Sequence, residues 1–225
     1  MTLSDRYLKG ETQAVYEGIY ALGEIAFDPA IFPQIDKVLR TTFHRAAFNI
    51  AVIYKGLQDI DYQFLSSHPI TAPDPNTELL LQELKQRFQG SGHIPLSLEY
   101  FYRIVGSCDL TWDWKNKPDI PWVGADPLQM PTLNELLDMT SGGIGNYDLL
   151  LSADNLQKDN ISGDCYCLEI TPYPAIDSLF ESWDIPFIEY LRITFNNCGF
   201  AMADRCDYED LQEFCKSVRP LLKPL

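Results

Sequence analysis

Basic residues are scarce in this chain of 225. Its 17 lysines and arginines stand against 32 aspartates and glutamates, a formal net charge of −15. The deficit is uneven: residues 1–105 hold 9 basic and 12 acidic residues, whereas residues 106–225 hold 8 and 20. A surface of that sign repels phosphate backbones, which argues against nucleic acid as a direct partner. It speeds encounter with a basic protein, and it also serves plain solubility. Long apolar runs are missing as well. No stretch of about 18 apolar residues occurs, so no membrane-spanning helix is expected. The opening Met1-Thr2-Leu3-Ser4-Asp5-Arg6 has no basic stretch followed by an apolar run. No signal peptide is therefore expected, and a cytoplasmic location is.

Histidine is rare and cysteine is badly spaced for metal. His44, His68 and His93 are the three histidines, and none belongs to an H-E-x-x-H or other two-ligand spacing. Of Cys108, Cys165, Cys167, Cys198, Cys206 and Cys215, only Cys165 and Cys167 lie close, as C-x-C, with no second pair and no nearby histidine. That is not a zinc pattern. Free thiols in a reducing compartment, packed as small apolar residues, are expected, with no metal and no cofactor. No G-x-S-x-G elbow is present. Gly142-Gly143-Ile144-Gly145 is followed by Asn146-Tyr147-Asp148 rather than by Lys and Ser or Thr. It therefore reads as a turn before a strand rather than a phosphate loop. The carboxylate pairs Asp59/Asp61 and Glu209/Asp210 are sequence neighbours on solvated faces, not groups opposed across a cleft. An enzyme reading would need an unrecognised pocket near His93 or the 142–146 turn.

Apolar and aromatic residues are plentiful. Hydrophobic residues make up 46%, with 12 Phe and 12 Tyr, enough for a sizeable core. Val15, Ile19, Leu22 and Ala26 recur at helical spacing. Ile35, Val38, Leu39, Thr42, Ala46, Ile50, Ile53 and Leu57 mark a long helix, with Pro33 in its first turn and Gly56 loosening its end. Pro69, Pro73 and Pro75 make 66–77 a boundary between an N-terminal helical region, 1–66, and an α+β domain, 76–225. Asn76 is placed to cap a helix ending before Gly90. Pro95 opens another that ends at Gly106. The period then changes. Cys108, Leu110, Trp112 and Trp114 alternate with Asp109, Thr111 and Asp113 as in a half-buried strand. Thr132 and Glu135 form a capping box. Residues 147–151 and 165–170 read as strands, with Lys158-Asp159-Asn160 as turn material between them. Two helices close the chain, with Asp184 and Asp207 as their caps. Strands gathered between helices predict an α+β fold, with an antiparallel or mixed sheet packed by helices.

The stretch 109–126 stands out. It holds Trp112, Trp114 and Trp122, three of the four tryptophans, among Asp109, Asp113, Asp119 and Asp126. Core packing explains one or two tryptophans. Three in a proline-rich segment also fit a partner-facing patch, because Trp is common at binding hot spots and acids orient a basic partner.

The order of segments resembles the SUKH superfamily, which takes in the yeast Smi/Knr cell-wall regulators and many bacterial immunity proteins. Ile94-Pro95-Leu96-Ser97-Leu98-Glu99-Tyr100-Phe101-Tyr102-Arg103-Ile104-Val105-Gly106-Ser107 resembles its opening helix: a proline, an aromatic amphipathic helix, then glycine before a strand. Asp109-Leu110 and Asp126-Pro127-Leu128 resemble the strand and the returning segment. Ile185-Pro186-Phe187-Ile188-Glu189-Tyr190-Leu191-Arg192, with Gly199-Phe200, resembles the late helix and its turn. The likeness covers roughly 90–200. Ser107 stands where a second glycine is common, and Asn196-Asn197-Cys198 where a more glycine-rich or tryptophan-bearing turn is expected. The resemblance implies a non-enzymatic binder. In its bacterial form this is an immunity protein covering a toxin, often a basic nuclease; in its fungal form it is a regulatory scaffold.

Overall fold

The structure is a computed structural model and describes residues 1–140, 148–152 and 165–225. Helices form first. α1 (Leu3–Leu8) starts at Thr2, whose hydroxyl accepts from Asp5 N while Asp5 returns the favour to Thr2 N. α2 (Thr12–Ala21) runs into a 3-10 turn, Gly23–Phe27. α3 (Phe32–Asp59) has Pro33 in its first turn and buries the predicted stripe from Ile35 to Leu57. α4 (Thr77–Arg87) and α5 (Leu96–Ile104) follow, then α6 (Leu133–Met139) with its Thr132/Glu135 capping box in place. α7 (Phe187–Asn196) and α8 (Glu209–Val218) come last among the α-helices.

Among the described residues the strands are short and gather into two antiparallel sheets. β1 (Ile70–Thr71), β2 (Ser107–Asp109) and β3 (Gln129–Met130) make one, with Ile70 opposite Cys108 and Cys108 opposite Met130. β4 (Asp148–Ser152), β5 (Tyr166–Glu169), β6 (Leu179–Phe180) and β7 (Ile185–Pro186) make the other, in that order. Leu149 faces Leu168, and the register shifts at a bulge between Leu150 and Ser152. The chain is an α+β fold. One apolar cluster reaches from Tyr7 to Leu225 and takes in residues on both sides of the 66–77 segment. None of the described helices is long and apolar enough to cross a membrane.

Several local expectations change. The strand expected over 108–114 stops at Asp109, because the Asp109 carboxylate accepts from Thr111 N and bends the chain. Beyond it only a single bridge remains, Phe64 to Trp112. Asn76 makes no side-chain cap for α4. Asp74 supplies acceptors there instead: its carboxylate accepts from Asn76 N, and its backbone carbonyl accepts from Thr77 N and Oγ1. Asp184 does not cap α7 and instead takes a left-handed turn at φ 52°. Asp207 lies one residue outside the start of α8, which Tyr208 precedes. Gly56 has a packing role: a Cβ there would stand 2.9 Å from Val218 and 3.2 Å from Phe214, so its bareness lets α8 approach α3. The turn at 141–146, Tyr147 and the turn at 158–160 lie outside the described residues.

Candidate functional site

The structure divides the seven residues of the tryptophan–aspartate stretch. Trp122 and Asp126 are interior, Asp109, Trp112, Asp113 and Trp114 are half-buried, and Asp119 is exposed. Trp122 turns inward at φ 55°. It stacks on Tyr62 at 5.6 Å and meets Phe200 at 5.1 Å and Phe214 at 5.7 Å. Trp112 stands edge-on to Tyr62 at 5.0 Å, and its indole N–H donates to the Lys117 carbonyl. Asp126 accepts from the buried Tyr166 hydroxyl at 2.6 Å, and Asp113 accepts from the Asn116 backbone and side chain. Core packing therefore accounts for Trp122 and Asp126, and both are closed to a partner. Their ring partners come from residues 62, 200 and 214, which local composition does not bring together. Thr111, Trp114 and Trp122 line one small cavity, and Thr111 Oγ1 and both indole N–H groups are buried without a hydrogen-bond partner.

A second region is better formed. The segment 171–178 between β5 and β6 lies across the start of α5, where Ala175 and Ile176 carbonyls accept from Leu96 N and Ser97 N. These satisfy donors that the first helical turn leaves open. Asp177 then ties three helices together. Its Oδ1 accepts from Ser97 Oγ at 2.7 Å and Ser178 N at 3.0 Å; its Oδ2 accepts from Tyr20 OH at 2.9 Å and Ile188 N at 3.0 Å. Ile188 lies in the first turn of α7, so Asp177 performs the capping expected of Asp184. Burial pushes the Asp177 carboxyl up to about 6 against the pull of these donors.

Outside Asp177 lies a groove of about 530 Å³ between the 3-10 turn and residues 171–179. Tyr20, Glu24, Glu169, Tyr173, Asp177 and Leu179 line it together with Pro172, Pro174 and Pro186, and no Lys or Arg does among the described residues. Tyr173 is 64% exposed, and Leu179 also faces solvent. Glu169 continues the groove into an acidic sheet end. It sits directly opposite Asp148 in the β4–β5 ladder. Glu181 lies near both: its carboxyl is raised by burial and then by the charges of Asp148 and Glu169. None of the ion pairs among the described residues involves these three. Like charges facing each other across a ladder cost stability, and such violations of a local rule gather at working surfaces.

The region near His93 holds a more voluminous cavity than this groove, about 700 Å³, with Lys85, Gln86, Gln89, His93 and Glu99 on its walls. It adjoins the acidic groove at Pro172, Pro174 and Ala175. Its one carboxylate is already committed, because buried Glu99 pairs with Lys85 at 2.7 Å and Arg103 at 2.9 Å, and Arg103 also holds Glu78. Sequence reasoning passed over the groove. Thr171-Pro172-Tyr173-Pro174 was its signal: a tyrosine between prolines suits neither a helix nor a central strand. Compared with protein-family models, curated proteins and solved structures, the chain matches none.

Proposed function

We propose that this chain is a non-enzymatic protein-binding module whose acidic second half receives a basic partner protein. The observation that carries the reading is the facing pair Asp148 and Glu169, which no ion pair among the described residues compensates, joined by Glu181 and opening into the groove at Tyr173 and Leu179. Arginine or lysine side chains would relieve the repulsion among these carboxylates, while an apolar neighbour on the partner rests against Tyr173 and Leu179. The resemblance to the SUKH superfamily supports a narrower form of the same reading: a cytoplasmic immunity protein that covers a basic nuclease toxin. The half-buried Trp112 and Trp114, with exposed Asp119, would serve as a second edge of contact.

The test is calorimetric titration of the purified chain against a basic nuclease encoded beside its gene. The wild type is expected to bind and to block cleavage, and E169K and Y173A are each expected to weaken binding at least about tenfold, the scale of a modest hot spot. Equal affinity for wild type and both variants would move the interface away from the groove. No binding to any basic neighbour would remove the immunity reading. The cavity at His93 supports the rival reading, an enzyme, but its carboxylate is neutralised twice over and leaves the histidine without an acidic partner from that side chain.

A further inference from the structure

Cys165 and Cys167 flank Tyr166 where the chain enters β5. Strand alternation sends Tyr166 to one face and the two cysteines to the other. Tyr166 is buried, with its hydroxyl on Asp126, whereas Cys165 is exposed and Cys167 half-buried. The two sulfurs lie 3.5 Å apart. Cα atoms two residues apart in a regular strand are about 6.7 Å apart, near the upper limit that a disulfide can span. The β4–β5 ladder is not regular here: the register shifts between Leu150 and Ser152, directly opposite Cys167 and Tyr166. The extra residue there, Leu151, belongs to β4, and the bulge adds local twist beside the two cysteines, whose sulfurs already lie within contact. Closure therefore needs a small movement and leaves a strained bond, the kind that forms and breaks reversibly.

We propose that Cys165 and Cys167 are a reversible dithiol site that exchanges with small, positively charged disulfides. The Cys165 thiolate attacks one sulfur of R–S–S–R, forming the mixed disulfide Cys165–S–S–R and releasing one thiolate RS⁻. Cys167 then gives up its proton to solvent base, and its sulfur attacks Cys165 Sγ, closing the intrastrand disulfide and releasing the second RS⁻. The two protein thiols lose two electrons and two protons; the small disulfide gains them as two thiols. The preference for a cationic reagent comes from the surroundings. Asp148 and Glu181 act on Cys167 by charge, at the same sheet end that carries Glu169. They attract an ammonium-bearing disulfide and repel a carboxylate-bearing one. Burial, the hydrogen bond and charge of Cys165, and those two carboxylates together push the Cys167 thiol up to about 12. The closing step is therefore the slow one at neutral pH and quickens as pH rises.

The experiment treats the full chain with cystamine or with glutathione disulfide, quenches with acid, and maps every cysteine by mass spectrometry. Cystamine is expected to convert the 165–167 peptide to its internal disulfide, at least about tenfold faster than glutathione disulfide at low salt, with the ratio shrinking at high salt. Dithiothreitol restores both thiols. C167S is expected to stop at a mixed disulfide on Cys165. The wild type should pass through the same adduct and clear it faster at pH 9 than at pH 7. The proposal is overturned if Cys206 is modified while the 165–167 peptide keeps two thiols. It is equally overturned if the wild type holds the Cys165 adduct at pH 9 as long as C167S does. Wild-type mapping alone decides the matter should the variant fail to fold.

Discussion

Gly106 holds a φ of +92°, and a Cβ there would stand 2.7 Å from the carbonyl carbon of Ala72 and 2.8 Å from Pro73 N. Both are backbone atoms, so neither can swing aside as a side-chain tip would. G106A is expected to cost about 3 kcal/mol or more, combining left-handed strain with overpacking. Urea denaturation reads the loss, and a cost under about 1 kcal/mol would mean that residues 71–73 yield freely. At this scale the sequence speaks in part. Gly106 reads as a helix stop from its place after Val105, but its closeness to 71–73 depends on β1 pairing with β2. Trp122 shows the same limit. Its neighbours in the chain leave core and partner-facing patch both open, and its neighbours in space, Tyr62, Phe200 and Phe214, put it inside.

Helices with several turns of apolar periodicity, or with a Thr-x-x-Glu capping box, were legible as elements, whereas α1, with six residues, was not. The ten buried residues of α3 and the capping box of α6 are of that kind. Strands of two residues, such as β1, β3, β6 and β7, carry no period at all, so the sheet order could not be read. Caps supplied from elsewhere in the chain are equally hidden: α7 is capped by Asp177, not by the nearby Asp184. That cap makes a pH prediction. The Asp177 carboxyl sits at about 6 in the fold against an ordinary 3.8, so the native state holds its proton more tightly than the unfolded chain does. The resulting stabilisation is complete below pH 3.8 and is lost as pH rises through 6, with an upper size of about 3 kcal/mol. D177N removes the titrating group and forces an amide N–H₂ toward a backbone donor at Ser178 or Ile188, so it is destabilising throughout. The stability gap between wild type and D177N is expected to widen from pH 7 to pH 4, measured by urea midpoints. A gap that narrows would mean that the four donors hold the carboxylate ionised.

For the molecule as a whole, the imbalance of charge was plain in the sequence, but its focus was not. Glu24 comes from the first half of the chain, and Asp148, Glu169 and Glu181 lie 21 and 12 positions apart; the β4–β5 ladder sets Asp148 against Glu169, and the fold of the β5–β6 segment beside α2 brings Glu24 to the same groove as Glu169. A focused field acts before contact is made. It raises the rate at which a basic partner arrives, and salt weakens it because the screening length falls from about 10 Å at 0.1 M to about 3 Å at 1 M. Stopped-flow association with the basic partner is therefore expected to slow by about tenfold or more between 0.05 and 0.5 M salt, while dissociation changes little. Reversing two charges, E169K with E181K, is expected to lower the low-salt rate and flatten the salt dependence together, because both arise from the same carboxylates. E83K, at a carboxylate that pairs with Arg87 and does not line the groove, serves as the control of equal sign. An association rate indifferent to salt in the wild type would place recognition on apolar contacts such as Trp112 and Trp114. A salt dependence that E83K flattens as much as the double reversal would assign steering to net charge rather than to this sheet end.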